Sequence, residues 1–209
     1  MQQIDGIGPG TTVQCGRRWA TVGALVSYRG MLHALTVAHI FCALRNKRVK
    51  FPGSMGGGWV AACVQLRKLG IHSSDGALIA LDEDVPISPD HPVVGPLLGY
   101  LSKIQPGTPV ILQGSSGISC GQVVQSSWSG RVRYPWGSRK LSGQVLIEIN
   151  EGPLPHPGDS GSLWVTENGL AVGLQVAIAR RLAIVSPLDP LLSKWNAHLL
   201  RSKVVLSLR

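Results

Sequence analysis

Ser160 is the residue best placed for nucleophilic chemistry, since it lies in a loop whose sequence restricts the backbone. Residues 154–165 read LPHPGDSGSLWV, with prolines before the serine and an apolar run after it. Gly158 and Gly161 allow backbone angles that other residues resist, and the prolines stiffen the approach. We therefore expect the loop to hold the Ser160 hydroxyl in one exposed position.

A serine hydroxyl becomes a strong nucleophile only when a neighbouring base accepts its proton, and that base needs an acceptor to fix its tautomer. His39 follows the apolar run LTVA in the segment LTVAHIF, so it can project from the end of a strand. Asp75 directly precedes the apolar segment GALIAL and can be anchored there. His33 lies in mid-strand, His72 lies in a loop close to Asp75, and His156 is too close to Ser160 in sequence, so these are weaker bases.

The elements that must position these side chains are short strands. The chain has 209 residues, 44% of them hydrophobic, and its 26 glycines and 14 prolines separate apolar runs. This pattern predicts turns between strands in one large all-β protein. About six candidate strands lie on each side of a proline-rich connector. They are residues 11–15, 20–28, 32–39, 48–52, 59–67 and 76–82 before it, and 109–114, 119–128, 143–150, 161–166, 170–179 and 181–187 after it.

The connector, residues 83–96, divides the chain into two predicted halves, residues 1–88 with His39 and Asp75, and residues 89–209 with Ser160. Residues 189–200 form the one predicted helix, with Asp189 as its N-cap and Pro190 in its first turn. We therefore predict an all-β fold of two six-stranded antiparallel β-barrels followed by a C-terminal helix. Barrel closure would remove the exposed strand edges.

Three sequence blocks carry a family resemblance. TVAHI, SDGALIAL and GDSGS resemble, in this order, the blocks of trypsin/chymotrypsin-like serine proteases, over residues from about 20 to 200. The resemblance implies an endopeptidase that forms an acyl-enzyme, with Ser160 as nucleophile, His39 as base and then acid, and Asp75 as orienting carboxylate. It implies an oxyanion hole formed by the backbone N–H groups of Gly158 and Ser160, and it requires neither cofactor nor metal.

The sequence departs from the secreted digestive members of that family. No cysteine adjoins His39; the nearest is Cys42, and the four cysteines show no CxxC spacing, which predicts free thiols and argues against zinc. No basic and apolar leader begins the sequence. The chain is thus more similar to intracellular bacterial and fungal members or viral chymotrypsin-like proteases, and we expect a cytoplasmic protein.

Two further departures concern activation and the support of Asp75. No IVGG-type segment follows a cleavable leader, so Asp159 needs a partner other than a freed amine. We predict that N-terminal cleavage does not activate the protein. Val176 stands where secreted relatives carry a serine close to the catalytic aspartate, which predicts one hydrogen bond fewer for Asp75.

The resemblance also assigns a substrate pocket. Its base would contain Leu154 and Pro155, and its walls would contain residues 176–178, namely Val176, Ala177 and Ile178, with the region around Ala183. None of these is acidic, so we expect an apolar or small residue before the cut and disfavour Lys or Arg. The alternative is that His156, Arg180 or Arg181 selects a polar or acidic residue.

The net charge of +9 is also consistent with other classes of function. The partner predicted from the resemblance is a protein or peptide, and the basic charge would suit an acidic one. A catalytically silent binding module and a basic-surface interaction protein remain alternatives. The sequence argues against nucleic acid, since no recognition motif is present and only 5% of residues are aromatic. No apolar run is long enough to span a membrane.

Overall fold

The protein consists almost entirely of β-strands. The computed structural model describes residues 6–42, 48–53, 56–64, 66 and 71–201. These residues form two large sheets and one short helix near the C-terminal end, which confirms the predicted all-β class. Residues 45–47 and 202–209, which carry part of the positive charge, lie outside the described residues.

Seven of the first eight strands follow the predicted apolar segments; the exception is the strand Ile71–His72, where His72, expected in a loop, pairs in parallel with a later strand. Each predicted segment up to residue 82 contains at least one strand, and segment 20–28 contains parts of two. The strands are β1 (Thr12–Cys15), β2 (Arg18–Thr21), β3 (Ala24–Tyr28), β4 (Met31–Thr36), β5 (Arg48–Lys50), β6 (Gly57–Cys63), β7 (Ile71–His72) and β8 (Ala77–Leu81).

The later strands include two that are much longer than expected. Both belong to one antiparallel hairpin, of which the sequence predicted only the strand segments 119–128 and 143–150. The elements are β9 (Gly99–Tyr100), β10 (Pro109–Gly114), β11 (Gly117–Tyr134), β12 (Gly137–Glu151), β13 (Leu163–Val165), β14 (Leu170–Ala179), β15 (Leu182–Pro187), α1 (Leu188–Trp195) and β16 (His198–Leu199).

Each sheet contains eight strands, and each takes one short strand from the other half of the chain. The first sheet has the order β16-β3-β4-β8-β6-β5-β1-β2, and the second has the order β11-β10-β13-β14-β15-β12-β7 with β9 beside β14. Strand β7 pairs in parallel with the far end of β12, and β16 pairs with β3. With the division of segment 20–28 between β2 and β3 in the first sheet, and with β9 in the second, these short strands raise the number from six to eight in each sheet.

The β11–β12 hairpin continues well past the second sheet. Tyr134 pairs with Gly137 at its tip, so the turn contains only Pro135 and Trp136. Val132 and Tyr134 are buried, whereas Arg131 and Arg133 are exposed, as expected for the two faces of a strand. The segment 131–140, which is rich in basic residues, is therefore the end of a strand pair with one buried face.

Two apolar cores stabilise this arrangement. One lies against the first sheet and the helix and extends to Tyr134, and the other lies within the second sheet around Trp164. Trp164 is fully buried, and its indole N–H donates to the side-chain oxygen of Gln175 at 2.8 Å. That bond satisfies the one polar atom of a large apolar side chain and fixes β13 to β14.

The C-terminal helix is shorter than predicted. It begins after Pro187, which serves as N-cap without a side-chain hydrogen bond, so Asp189 lies in the first turn and is not the cap. It ends at Asn196, whose left-handed φ of 50° stops the helix and directs the chain into β16. Apolar residues at helical spacing predicted continuation to residue 200, but pairing with β3 takes His198 and Leu199 instead.

No disulfide joins the four cysteines, all of which lie in the described residues. Across the described ranges, no helix is long and apolar enough to cross a membrane.

Candidate active site

The loop around Ser160 is fixed by its own backbone. Asp159 N donates to His156 O at 2.9 Å, and Ser162 N donates to Asp159 O at 3.0 Å. Gly158 has φ of 110°, and Gly161 has φ of 96°, both in the region that favours glycine. This is the constrained loop that the glycine and proline pattern predicts.

Thr21 ties the loop to the first sheet. Its N–H donates to Ser160 O at 2.8 Å, and its hydroxyl donates to Gly158 O at 2.8 Å. Thr36 in turn donates to Thr21 O at 2.6 Å. A Cβ at Gly161 would lie 2.3 Å from both Thr21 O and Thr36 Oγ1, so the contact between the two sheets requires glycine there.

Asp159 is satisfied by backbone amides. Its side chain is buried, with one carboxylate oxygen accepting from Ser115 N at 2.7 Å and the other accepting from His156 N at 2.7 Å. Ser115 lies in the turn between β10 and β11, within the second sheet. The partner left open by the sequence is thus this pair of N–H groups, because hydrogen bonds from amides stabilise a buried carboxylate.

His39 and Asp75 meet at the ends of neighbouring strands in the first sheet. His39 follows β4, Asp75 precedes β8, and these two strands pair. His39 Nδ1 lies 2.7 Å from Asp75 Oδ2, while the backbone N–H groups of Ala38 and His39 donate to Asp75 Oδ1 at 2.7 and 3.0 Å. Asp75 is completely buried. A buried carboxylate that accepts from Nδ1 leaves Nε2 as the free acceptor of the ring.

The tip of the long hairpin supplies a further donor to Asp75. The Tyr134 hydroxyl donates to Asp75 Oδ2 at 3.1 Å, and its ring centroid lies 5.1 Å from that of His39. Burial, together with the nearby Asp75 charge, raises the pKa of Tyr134, so its hydroxyl stays protonated as a donor. This bond offsets the loss expected from Val176.

Trp136 holds Tyr134 against the site. The two rings stack with centroids 5.0 Å apart, and the Trp136 indole N–H donates to His39 O at 3.1 Å. Neither aromatic residue was predicted from the sequence to belong to the site. The period-two alternation of RVRY at 131–134, with Val132 and Tyr134 on one face, is the signal that marks a strand there.

Ser186 and Gln144 anchor the main chain of Asp75 from the second sheet. Asp75 N donates to Ser186 Oγ at 2.9 Å, and that hydroxyl donates to the Gln144 side-chain oxygen at 2.7 Å. The Gln144 amide donates to Ser73 O at 3.0 Å, which closes the network. The Asp75 N–H, the Ser186 hydroxyl and the Gln144 side-chain amide all have hydrogen-bond partners, as a rigid polar network requires. No motif in the sequence singled out Ser186 or Gln144.

A cleft of about 560 Å³ lies between the two sheets and brings the predicted residues together. His39, Gly158 and Ser160 line it, as do Pro155 and residues 176–178. Leu154 is not part of this lining and is 37% exposed. The other lining residues are Arg17, Arg18, Trp19, Ile40, Arg133, Tyr134, Pro135, His156, Pro157 and Gln175; Arg180 and Arg181 are not among them.

Several polar atoms of the cleft are left available. Among the residues that the structure describes, no acceptor bonds the backbone N–H of Gly158 or Ser160, and no partner bonds the Ser160 hydroxyl or His39 Nε2. Backbone N–H groups are usually paired in folded proteins. Gly158 and Ser160, whose backbone N–H groups are unpaired, therefore line the same cleft as the His39 ring.

A cysteine near the site is a poor alternative nucleophile. The Cys42 thiol donates to Ala38 O at 3.4 Å, close to His39 in the chain. A hydrogen bond with Cys63 and burial raise its pKa, so the reactive thiolate is disfavoured. The nucleophilic candidate in the cleft is therefore Ser160.

Comparison with solved structures places this arrangement among known folds. Thermobifida fusca protease A is 20% identical and covers 93% of this chain and 98% of its own, with a TM-score of 0.73. A Cellulomonas bogoriensis chymotrypsin is 19% identical over 93% and 98%, with a TM-score of 0.70. A Nocardiopsis protease is 18% identical over 92% and 98%, with a TM-score of 0.68. No protein-family model and no curated protein sequence matches. The chain has the double β-barrel fold of the bacterial chymotrypsin-like serine proteases.

Proposed function

We propose that the protein is a serine endopeptidase that cleaves a protein substrate through an acyl-enzyme. The observation that carries this proposal is the His39 ring, which is bonded by Asp75 at 2.7 Å and lines the same cleft as Ser160. Asp75 orients the ring and stabilises its charged form, and Nε2 accepts the proton of the Ser160 hydroxyl. The absence of a hydrogen bond between ring and hydroxyl is compatible with this role, since such bonds often tighten when substrate binds.

Acylation and deacylation each involve two proton transfers at His39. Ser160 Oγ attacks the peptide carbonyl while His39 takes its proton, and His39 then returns that proton to the leaving amine. Water attacks the resulting ester by the same steps, with His39 as base. In each tetrahedral intermediate the oxyanion accepts from the N–H groups of Gly158 and Ser160. Losing one such donor costs about 10²- to 10³-fold in rate in comparable sites.

The hydrogen bonds to the Asp159 carboxylate are relevant to whether the protein needs activation by N-terminal cleavage. Two backbone amides, from Ser115 and His156, already bond its carboxylate. An ammonium group from a newly formed N-terminus is not needed to neutralise it. We infer that the oxyanion loop adopts its working conformation without N-terminal cleavage.

The cleft lining favours an apolar or small residue before the cut. Pro155, Val176, Ala177 and Ile178 contribute apolar surface, and no carboxylate that could bind Lys or Arg lines the cleft within the described chain. Residues 174–178 of β14 would pair with the extended substrate backbone, as an added strand.

Labelling with a fluorophosphonate probe tests the nucleophile. The probe should modify the parent protein, and Ser160→Ala should abolish the modification. Ser162→Ala is the matched control, because Ser162 lies two residues away, is buried, and has a hydroxyl without a partner in the described structure. Equal labelling of parent and Ser160→Ala, or no labelling of the parent, would reject the enzyme and favour a silent binding module.

A further inference from the structure

The cleft contains an excess of positive charge that the proposed chemistry does not use. Arg17, Arg18 and Arg133 all line it, and no Asp or Glu is among its described lining residues. Arg17 and Arg133 are exposed, so their guanidinium groups face solvent. A cleft whose charges have one sign raises the local concentration of ligands of the opposite sign.

These three arginines have no carboxylate partner in the part of the chain that the structure describes. The ion pairs found there are His39 with Asp75 and Arg48 with Asp82. Arg18 donates to backbone carbonyls, at 3.1 Å to Ile40 O and 3.5 Å to His39 O. Its guanidinium is thus oriented by neutral groups and keeps its full charge, with further N–H donors available for a carboxylate.

The chemistry determines which part of a substrate meets Arg17 and Arg18. His39 must protonate the leaving amine, so the peptide segment after the cut leaves on the side of His39. Arg18 bonds the carbonyls of His39 and Ile40, and Arg17 precedes it in the turn from β1 to β2. The segment before the cut lies instead along β14, which belongs to the other sheet.

We propose that Arg17 and Arg18 form a binding site for an acidic side chain in the first few substrate residues after the cut. This inference rests on the proposed endopeptidase and adds a preference on the leaving-group side, separate from the apolar residues at 176–178. A carboxylate is the side chain that pairs with guanidinium in two parallel hydrogen bonds. A nucleic acid is the less favoured ligand, because the two arginines lie beside the groups that act on a peptide bond.

The test is a cleavage profile of a library of proteome-derived peptides, read on both sides of each cut. For the parent, Asp and Glu should be enriched over Lys and Arg at one or more of the three positions after the cut by about three- to fivefold, as expected for exposed ion pairs. Arg17→Glu should abolish or reverse this enrichment. Arg17 is exposed, so its substitution leaves the fold intact.

Arg131→Glu is the matched control, because it makes the same charge change on an exposed residue outside the cleft lining. It should leave the enrichment unchanged. Arg18→Gln gives a second test, as it removes the charge and keeps a polar side chain at this position. It should weaken the enrichment and leave the residue preferred before the cut unchanged.

The outcomes separate this inference from the proposed function. If the parent cuts without acidic enrichment after the cut, or if Arg131→Glu changes it as much as Arg17→Glu does, the arginine site is wrong while the endopeptidase stands. If the parent neither cuts nor reacts with the probe, both are wrong. If a single-stranded oligonucleotide inhibits the parent but not Arg17→Glu, and no acidic enrichment is seen, the arginines bind nucleic acid.

Discussion

The Ser160 loop and the tip of the β11–β12 hairpin both support the same site, but only the loop can be recognised from sequence. The loop, residues 154–165, carries its signal in neighbouring residues, since glycines and an acid surround one serine. The hairpin tip, residues 131–140, looks like a charged surface segment. It nevertheless brings Tyr134 to Asp75 at 3.1 Å.

The difference is that the loop conformation depends on neighbouring residues, whereas the hairpin contact depends on residues far apart in the chain. The angles of Gly158 and Gly161 are backbone properties that residue type predicts locally. Tyr134 meets a carboxylate 59 positions away only because a long strand pair crosses to the other sheet. Local rules predict the loop, whereas the contact depends on hairpin length and on how the sheets pack.

Gly161→Ala should have the largest effect, because it tests the loop at its closest contact. The new Cβ would lie 2.3 Å from Thr21 O and Thr36 Oγ1, and φ of 96° is strained for alanine. We expect the free energy of unfolding to fall by about 4 kcal/mol, as overpacking adds to backbone strain. Urea denaturation measures it.

Gly158→Ala is the paired control for that loss. It has a similar φ of 110° but no atom within 4 Å of the added Cβ. We expect a smaller loss of about 1–2 kcal/mol from strain alone. Equal losses in the two variants would show that contact with the first sheet does not constrain the loop.

The next largest effect is a pH dependence of the free energy of unfolding that comes from His91, a buried residue next to the end of the Ser160 loop. His91 lies in the connector, is 3% exposed, and forms a hydrogen bond with the Leu163 backbone at the start of β13. Burial lowers its pKa to about 4 from 6.5. The neutral ring therefore stabilises the fold above pH 6.5, and this stabilisation is lost as pH falls from 6.5 towards 4.

The expected loss is about 3 kcal/mol across that window, since one pKa unit corresponds to about 1.4 kcal/mol. Unfolding measured at several pH values should show this slope in the parent and a shallower one in His91→Gln, whose amide does not titrate. Parallel slopes would contradict a buried neutral His91.

Tyr134→Phe has the smallest expected effect and tests the hairpin as a positioning element. Removing the donor leaves His39 as the one side chain bonded to Asp75 Oδ2 in the described structure, so the carboxylate orients the ring with less support. We expect kcat/KM to fall about tenfold, mainly through kcat, as for loss of a hydrogen bond to a charged group. The pH profile of kcat/KM should differ from that of the parent.

Tyr28→Phe is the control, since the Tyr28 hydroxyl makes no hydrogen bond in the described structure. Its profile should coincide with that of the parent. A Tyr134→Phe profile that also coincides, with unchanged kcat, would show that the hairpin tip only packs against the site.

Much of the fold follows from sequence because strand signals are local. Apolar runs bounded by glycine and proline predict most strands of both sheets, and the all-β class is confirmed. The predicted helix at 189–200 was too long, since residues 198–199 pair with β3, and helical spacing does not reveal a competing strand partner. The strands at 119–128 and 143–150 were too short, because the charged residues between them alternate with a buried face.

Sequence alone determined which residues are candidates for the proposed chemistry, because side-chain type and local backbone freedom are properties of short segments. It predicted Ser160, His39 and Asp75 as these candidates, together with the glycines around the serine. Only the tertiary structure decided what supports them: Tyr134 at Asp75, Ser186 beneath it, and two amides at Asp159. The bonds of Tyr134 and Ser186 to Asp75 join residues far apart in the chain, so they depend on how the two sheets pack. The bonds to Asp159 depend on turn geometry that the sequence leaves open.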